Sequence, residues 1–205
     1  VRGTQHRVFP DPALSDAALT VGQAGGDLRG EDQRVVQAAI DWVANLGGGT
    51  VSLLPGVYEC HDRLRLRSGV RLVGVGPGVV LRKSNGFEMP LSVDADYGES
   101  RLGVPEPQRW RAGLGLCVGD GETHGWHQSV ATVTAVRDGL VCLDRPLLGR
   151  DLSLERGAWV RHIFPIVEIV DAEEVVLENL VIEGNKVTNP RLDGCIGGAV
   201  YAYRS

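Results

Sequence analysis

The chain has 205 residues, of which 43% are hydrophobic, 23% charged and only 5% aromatic, with 28 glycines and a net charge of −5. That length buries a sizeable core in one large or two small domains, and the glycine content fits many short strands joined by tight turns, not a helical bundle. Scattered Lys and Arg under a net negative charge argue against nucleic acid or an anionic membrane as partner, and no apolar run reaches the ~18 residues of a membrane span.

Residues 1–30 mix Pro, Asp, Gly and short apolar runs and read as an extended lead-in. From 31 to 46, Val35, Val36, Ala39, Ile40, Val43 and Leu46 recur at helical spacing, which predicts one amphipathic helix. Glu31 and Asp32 fall in its expected first turn, at the positive end of the dipole, and Gly47 stands where a left-handed cap is needed. Trp42 on this helix is read as packing in the core or the cap.

After the helix the hydrophobic period changes from 3.6 to 2. Short β-type runs at 51–54, 64–66, 70–73 and 79–81 are separated by Pro55-Gly56, Ser68-Gly69 and Gly74-Val75-Gly76-Pro77-Gly78. Strands this short cannot each build a hairpin with a shared face. They can form successive sides of a coil whose rounds stack. Residues 85–111 show little periodicity and read as a long functional or packing loop. Runs at 130–136 and 140–143 flank Arg137-Asp138-Gly139, a hairpin signal, so a small antiparallel β-hairpin excursion is expected over roughly 115–162, anchored by Trp110 and Trp159. The coil pattern returns at 166–170, 175–177, 180–182 and 199–203, with Val167, Ile169, Val175, Leu177, Leu180 and Ile182 pointing inward. Cys60, Cys117, Cys142 and Cys195 have no metal-type spacing; they read as small core side chains, with two disulfides as the alternative.

The string Asp32-x-x-x-Val36-Gln37-Ala38-Ala39-Ile40-Asp41, followed by Gly47-Gly48-Gly49-Thr50-Val51 and Leu54-Pro55-Gly56-Val57-Tyr58, resembles the start of pectate-lyase-like β-helix proteins. That superfamily includes polygalacturonases and phage tailspikes. Residues 64–76 and 175–185 share its coil texture. The resemblance implies an all-β, right-handed parallel β-helix with an N-terminal capping helix that hides the open strand edges. The organisation expected is the lead-in 1–30 and a single domain 31–205: helix 31–46, first coils 50–84, loop and excursion 85–162, further coils 163–205. Nothing after Tyr203 has the look of a polar cap, so the chain is expected to stop in mid-coil.

The resemblance further implies a carbohydrate-active protein, a polysaccharide lyase or glycoside hydrolase acting on an acidic or plant/algal-type polysaccharide, located outside the cell, in the periplasm or at the cell surface. The alternative is a non-catalytic carbohydrate-binding, adhesin-like or tailspike-like surface protein. A hydrolase needs two carboxyls, one acid and one base or nucleophile; a lyase needs a base near C5 and a cation, calcium among the possibilities. The densest polar cluster is Glu183, Asn185, Lys186, Arg191 and Asp193. Glu183, Lys186 and Asp193 are candidate catalytic groups, and Asn185 and Arg191 candidate substrate contacts. The plainer reading is a solvated turn in which Asn185 supports a left-handed bend. No Asn-Thr-Asp or Gly-His-Gly signature of the polygalacturonases occurs. In 120–127, His124 could transfer protons and Trp126 could stack on a sugar, against the alternative of an ordered loop. His124 with His127 matches no standard zinc spacing, and Asp94, Asp96 and Glu99 lack a calcium-loop motif. No cofactor is evident.

Overall fold

The structure, a computed structural model, describes residues 17–124, 127–191 and 194–205. It is mostly β with one long helix, and its sheets are both parallel and antiparallel. The lead-in already belongs to the fold: β1 (Ala18–Gly22) pairs in parallel with β3 (Gly49–Leu53), and β2 (Leu28–Arg29) pairs with β1. Five residues broken by glycines were too short to reveal that pairing.

Helix α1 (Gln33–Asn45) starts two residues later than the acidic pair predicts. Asp32 is its N-cap, extended in backbone, and its carboxylate accepts from the Arg34 amide at 3.0 Å. An aspartate spent this way satisfies an orphan donor instead of joining the first turn. At the other end Gly48 N donates to Val43 O and Gly47 N to Ala44 O, the paired bonds of a glycine-terminated helix. Val36, Ala39, Ile40 and Val43 are fully buried, whereas Trp42 is 48% exposed, so the tryptophan is not a core residue.

The strands after α1 follow a three-beat order. β3, β4 (Gly56–Cys60) and β5 (Leu64–Leu66) make a first round; β6 (Val70–Gly74), β7 (Val79–Lys83) and β14 (Val167–Val170) a second; β15 (Val176–Glu178), β16 (Val181–Glu183) and β17 (Val200–Tyr203) a third. Each strand pairs in parallel with its counterpart in the next round, giving β3-β6-β15, β4-β7-β16 and β5-β14-β17. The runs near 51–54 and 175–177 therefore share one parallel sheet. Alternation in β3, β6 and β7 sends Val51, Leu53, Leu72 and Leu81 into a common core, where Tyr58 and Phe164 also lie. In the third round Val175, Leu177, Leu180 and Ile182 are only partly buried against it.

Side chains of α1 close the first round. Gln37 donates to Arg65 O at 3.1 Å and accepts from Arg65 N at 2.8 Å, and Gln33 accepts from His61 N at 3.0 Å. These amides pair the backbone edge that β5 would otherwise leave open.

Between β7 and β14 the chain builds a six-stranded antiparallel sheet, ordered β8-β13-β10-β11-β12-β9. Its strands are β8 (Glu88–Pro90), β9 (Arg101–Gly103), β10 (Gly115–Gly119), β11 (Ser129–Arg137), β12 (Leu140–Leu143) and β13 (Trp159–Arg161). The expected small hairpin, β11–β12, is only its middle, and the expected loop 85–111 contributes β8 and β9. Those three-residue strands bury Met89 and Leu102 against the insert's own hydrophobic cluster, which also holds Trp110, Leu116, Val118 and Val160. Cys60 and Cys117 are buried free thiols and Cys142 a half-buried one; the Cys195 side chain lies outside the described residues. Among the described residues no helix is long and apolar enough to cross a membrane.

Gly49 has φ +135°, and a Cβ there would collide with the Ala17 carbonyl, whose oxygen accepts from Thr50 N at 2.9 Å. Gly49→Ala is expected to cost about 1–3 kcal/mol of stability, read as a lower urea midpoint at unchanged m-value. A midpoint equal to the parent's would mean the β1–β3 pairing adapts without strain.

Candidate functional site

The residues singled out around the turn after β16 are mostly tied into the fold. Register places Glu183 opposite Arg82 of β7, and Arg82 opposite Glu59 of β4, so a Glu59–Arg82–Glu183 row crosses the second parallel sheet. Arg82 Nε meets Glu183 Oε2 at 2.8 Å in a half-exposed ion pair. Beside the row lies a polar cleft of about 340 Å³ lined by Glu31, Asp32, Val57, Glu59, His61 and Arg82. Asn185 takes the left-handed conformation, φ 46°, that the turn reading expects. Its amide donates to Asn85 Oδ1 at 2.9 Å and to Lys83 O at 3.2 Å, while Thr188 Oγ1 donates to Asn85 Oδ1 and Asn189 to Ser84 O. These bonds lace the third round to the second. Lys186 is exposed, and the Arg191 carbonyl accepts from Arg161 Nη1 at 3.0 Å. No ion pair joins Glu183 to Lys186 among the described residues. Asp193 lies outside them.

The segment after β10 forms an ordered turn. Asp120 accepts from Arg156 Nε at 2.7 Å and from the Glu122 amide at 3.0 Å, and Thr123 Oγ1 donates to the Asp120 carbonyl. Burial works to raise the Asp120 pKa, but Arg156 and the amides hold it below the ordinary carboxylate value. His124 and His127 are exposed, and Trp126 lies outside the described residues. In the acidic loop Asp94 accepts from Leu154 N at 2.7 Å and Glu99 from Asp96 N at 3.2 Å, so these oxygens order the backbone. Among the described residues no group of three or more His, Cys, Asp or Glu is placed to hold a metal ion.

The strongest constellation lies where the insert meets the third parallel sheet. Register aligns Arg65, Glu168 and Tyr201 in one row and Val170 with Tyr203 in the next. Arg63, fully buried in its side chain, donates from Nε to Glu168 Oε2 at 2.8 Å and pairs with Asp62 at 3.2 Å. Arg65 bonds Asp144 at 2.8 Å and Thr132 at 2.6 Å, and Thr132 donates to Asp62 at 2.6 Å. Thr132 and Asp144 belong to the insert, so the network crosses the boundary between the two cores. Burial pushes the Asp62 carboxyl up against the pull of Arg63, and burial together with Arg63 pulls Arg65 down.

Next to this network, which reaches it through Glu168, lies a cleft of about 250 Å³. One wall is Glu168, Val170, Tyr201 and Tyr203 from the stack; the other is Gln128, Ser129, Arg145 and Leu148 from the insert. Tyr203 is 42% exposed. Arg145 is 40% exposed in its side chain, and its ion pair to Asp144 Oδ2 is a long 3.6 Å. Asp144 is already engaged by Arg65 and by the Thr132 amide at 2.7 Å, which leaves guanidinium donors of Arg145 for a ligand. Sequence reasoning passed over this site. One signal was available: Tyr201 and Tyr203, two apart in a strand, put both rings on one face. The opposing residues lie 53 to 75 positions earlier in the chain and carry no shared motif.

No protein-family model and no curated protein sequence matches the chain. Among solved structures it is similar to phage tailspikes. The gp54 tailspike of Acinetobacter baumannii bacteriophage AP22, in complex with A. baumannii capsular saccharide, aligns at 12% identity and TM-score 0.34, over 73% of this chain and 31% of that one. The gp61 tailspike of Pseudomonas phage phi297 aligns at 13% identity and TM-score 0.32, and gp49 of Pseudomonas phage LKA1 at 16% and 0.31; each match covers 72% of this chain and 28% of the tailspike. The chain thus spans less than a third of the length of each.

Proposed function

We propose that this is a saccharide-binding protein built on a right-handed parallel β-helix of the pectate-lyase-like kind, and that its ligand is an acidic polysaccharide. The observation that carries the reading is the cleft between β17 and the insert. Tyrosine rings offer flat apolar faces to the C–H surface of a sugar, at low conformational cost. Gln128, Ser129 and Glu168 supply convergent hydrogen-bonding groups, as saccharide hydroxyls require. Arg145 adds a partly unsatisfied fork suited to a carboxylate. The test is binding to a panel of acidic and neutral oligosaccharides by calorimetry. Binding of acidic members, weakened in Arg145→Met, is expected. Heat with no member, or an affinity indifferent to Arg145, would sink this reading.

A second reading, glycoside hydrolysis, is favoured by one feature: Glu59 and Glu183 flank Arg82 two strands apart, a backbone spacing of about 10 Å. Inverting hydrolases hold their carboxyls about 6.5–9.5 Å apart around a water. If this row is catalytic, reducing ends should accumulate from an acidic polysaccharide and fall at least 100-fold in Glu183→Gln; ultraviolet absorbance of unsaturated products instead would indicate a lyase.

A further inference from the structure

The insert leaves the stack through residues 84–87 and returns through 162–166, and His162 pins the two crossings together. Its Nδ1 is 2.7 Å from the Gly115 carbonyl and therefore carries the proton; Nε2 is 3.1 Å from Ser84 Oγ and accepts from it. The ring packs against Phe87, Trp110 and Phe164. The charges that face this neck are mostly cationic. Lys83 donates to Phe164 O at 2.6 Å, Arg109 stacks on Phe87, and His61 and Arg111 lie close enough to oppose a further positive charge. Asp62, which packs against Gly115, is committed to Arg63 and Thr132.

We propose that His162 is an acid-operated release for the ligand cleft: protonating its imidazole unseats the insert from the stack and separates the two walls. This rests on the reading that the cleft between β17 and the insert holds the ligand. Gln128, Ser129 and Arg145 travel with the insert, and Tyr201, Tyr203 and Glu168 stay with the stack, so a loosened neck dismantles the site without unfolding either part.

Burial, with His61, Lys83 and Arg111 nearby, holds the imidazole down to about 4 from its ordinary 6.5, while the Gly115 bond works the other way. A histidine with a lowered folded pKa favours the seated form fully above pH 6.5. The advantage shrinks as the pH falls and is lost below about 4.

The test compares the full chain with His162→Gln, whose amide hydrogen-bonds but does not titrate, from pH 7.5 to 3.5. Hydrogen exchange at the Gly115 and Gly86 amides, which donate to the His61 and Thr188 carbonyls across the neck, reports seating, while exchange in β10 and β13 reports the insert and in β3 and β6 the stack. In the parent the bridging amides should lose protection between pH 6 and 4 while the insert and the stack keep their own, and in His162→Gln the midpoint should drop by at least one pH unit. Asp62, Asp144 and Glu168 are unchanged in both, so the difference isolates His162. Equal midpoints, or loss of insert and stack together, would overturn the proposal. Should His162→Gln lack a native near-ultraviolet spectrum at pH 7.5, the parent's imidazole resonance decides: titration coincident with release supports the proposal, and an imidazole silent through release refutes it. Oligogalacturonate serves as the binding probe. Its loss from the parent over the same window, with retention by the variant, ties release to the cleft. Absence of binding by either protein at pH 7.5 counts against the saccharide reading alone, since the exchange curves need no ligand.

Discussion

Replacing Arg63 with methionine should cost about 3–5 kcal/mol of stability, the range for stranding a buried charge. The guanidinium is the shared partner of Glu168 and Asp62, and its side chain is fully buried. Removing it leaves two carboxylates with little solvent and one cation, Arg65, to offset them. Urea denaturation followed by tryptophan fluorescence reads the loss. Adding Glu168→Gln to Arg63→Met should recover part of it, because the stranded charge goes too. If the double variant is less stable than the single, packing by the Arg63 stem is what matters, and the charge argument fails. Arg82→Met is the counterpart: its ion pair with Glu183 is nearly half exposed, so a change of about 0–1 kcal/mol is expected.

The second large effect concerns the ligand. Tyr201→Ala and Tyr203→Ala should each weaken acidic-oligosaccharide binding about tenfold, the size of one aromatic contact at a buried interface. The pair together should abolish measurable binding. Lys186→Ala lies on the turn after β16, away from the residues that line the cleft, and should leave the affinity within about twofold. The reverse ranking, with Lys186 critical and the tyrosines silent, would move the binding site to the polar turn read from the sequence. Circular dichroism of each variant guards against a folding artefact, since both tyrosines sit on a strand paired only to β14 among the described residues.

The repeating strands were legible because each round obeys a local rule. Val51 and Leu53, or Val70 and Leu72, alternate inward within one run, and a Pro-Gly or Ser-Gly pair ends it. The helix was legible for the same reason, and only the use of Asp32 as its cap shifted the start. The insert's outer strands were not legible. β8 and β9 each bury one or two residues, and one buried residue has no period. The cleft was hidden for a different cause. Glu168 faces Tyr201 only through parallel register, and Arg145 joins them only through the way the insert docks. Neither relation exists within any window of sequence. The polar turn at Asn185 shows the converse: its density of amides marked it, but those amides hold one round to the next.

The position of the insert has a consequence for the order of folding. β14 belongs beside β5, yet about 80 residues separate it from β7, the strand before it in the same round. Closing a flexible loop of that length costs about 4 kcal/mol in chain entropy. The insert has its own apolar cluster and the two hairpins β10–β11 and β11–β12, and its neck holds residues 84 and 162 side by side. Once folded, it delivers β14 to its place as a short tether would. Lesions such as Val118→Ala or Val160→Ala, in the insert's own cluster, should therefore slow formation of the second and third rounds, read by stopped-flow refolding.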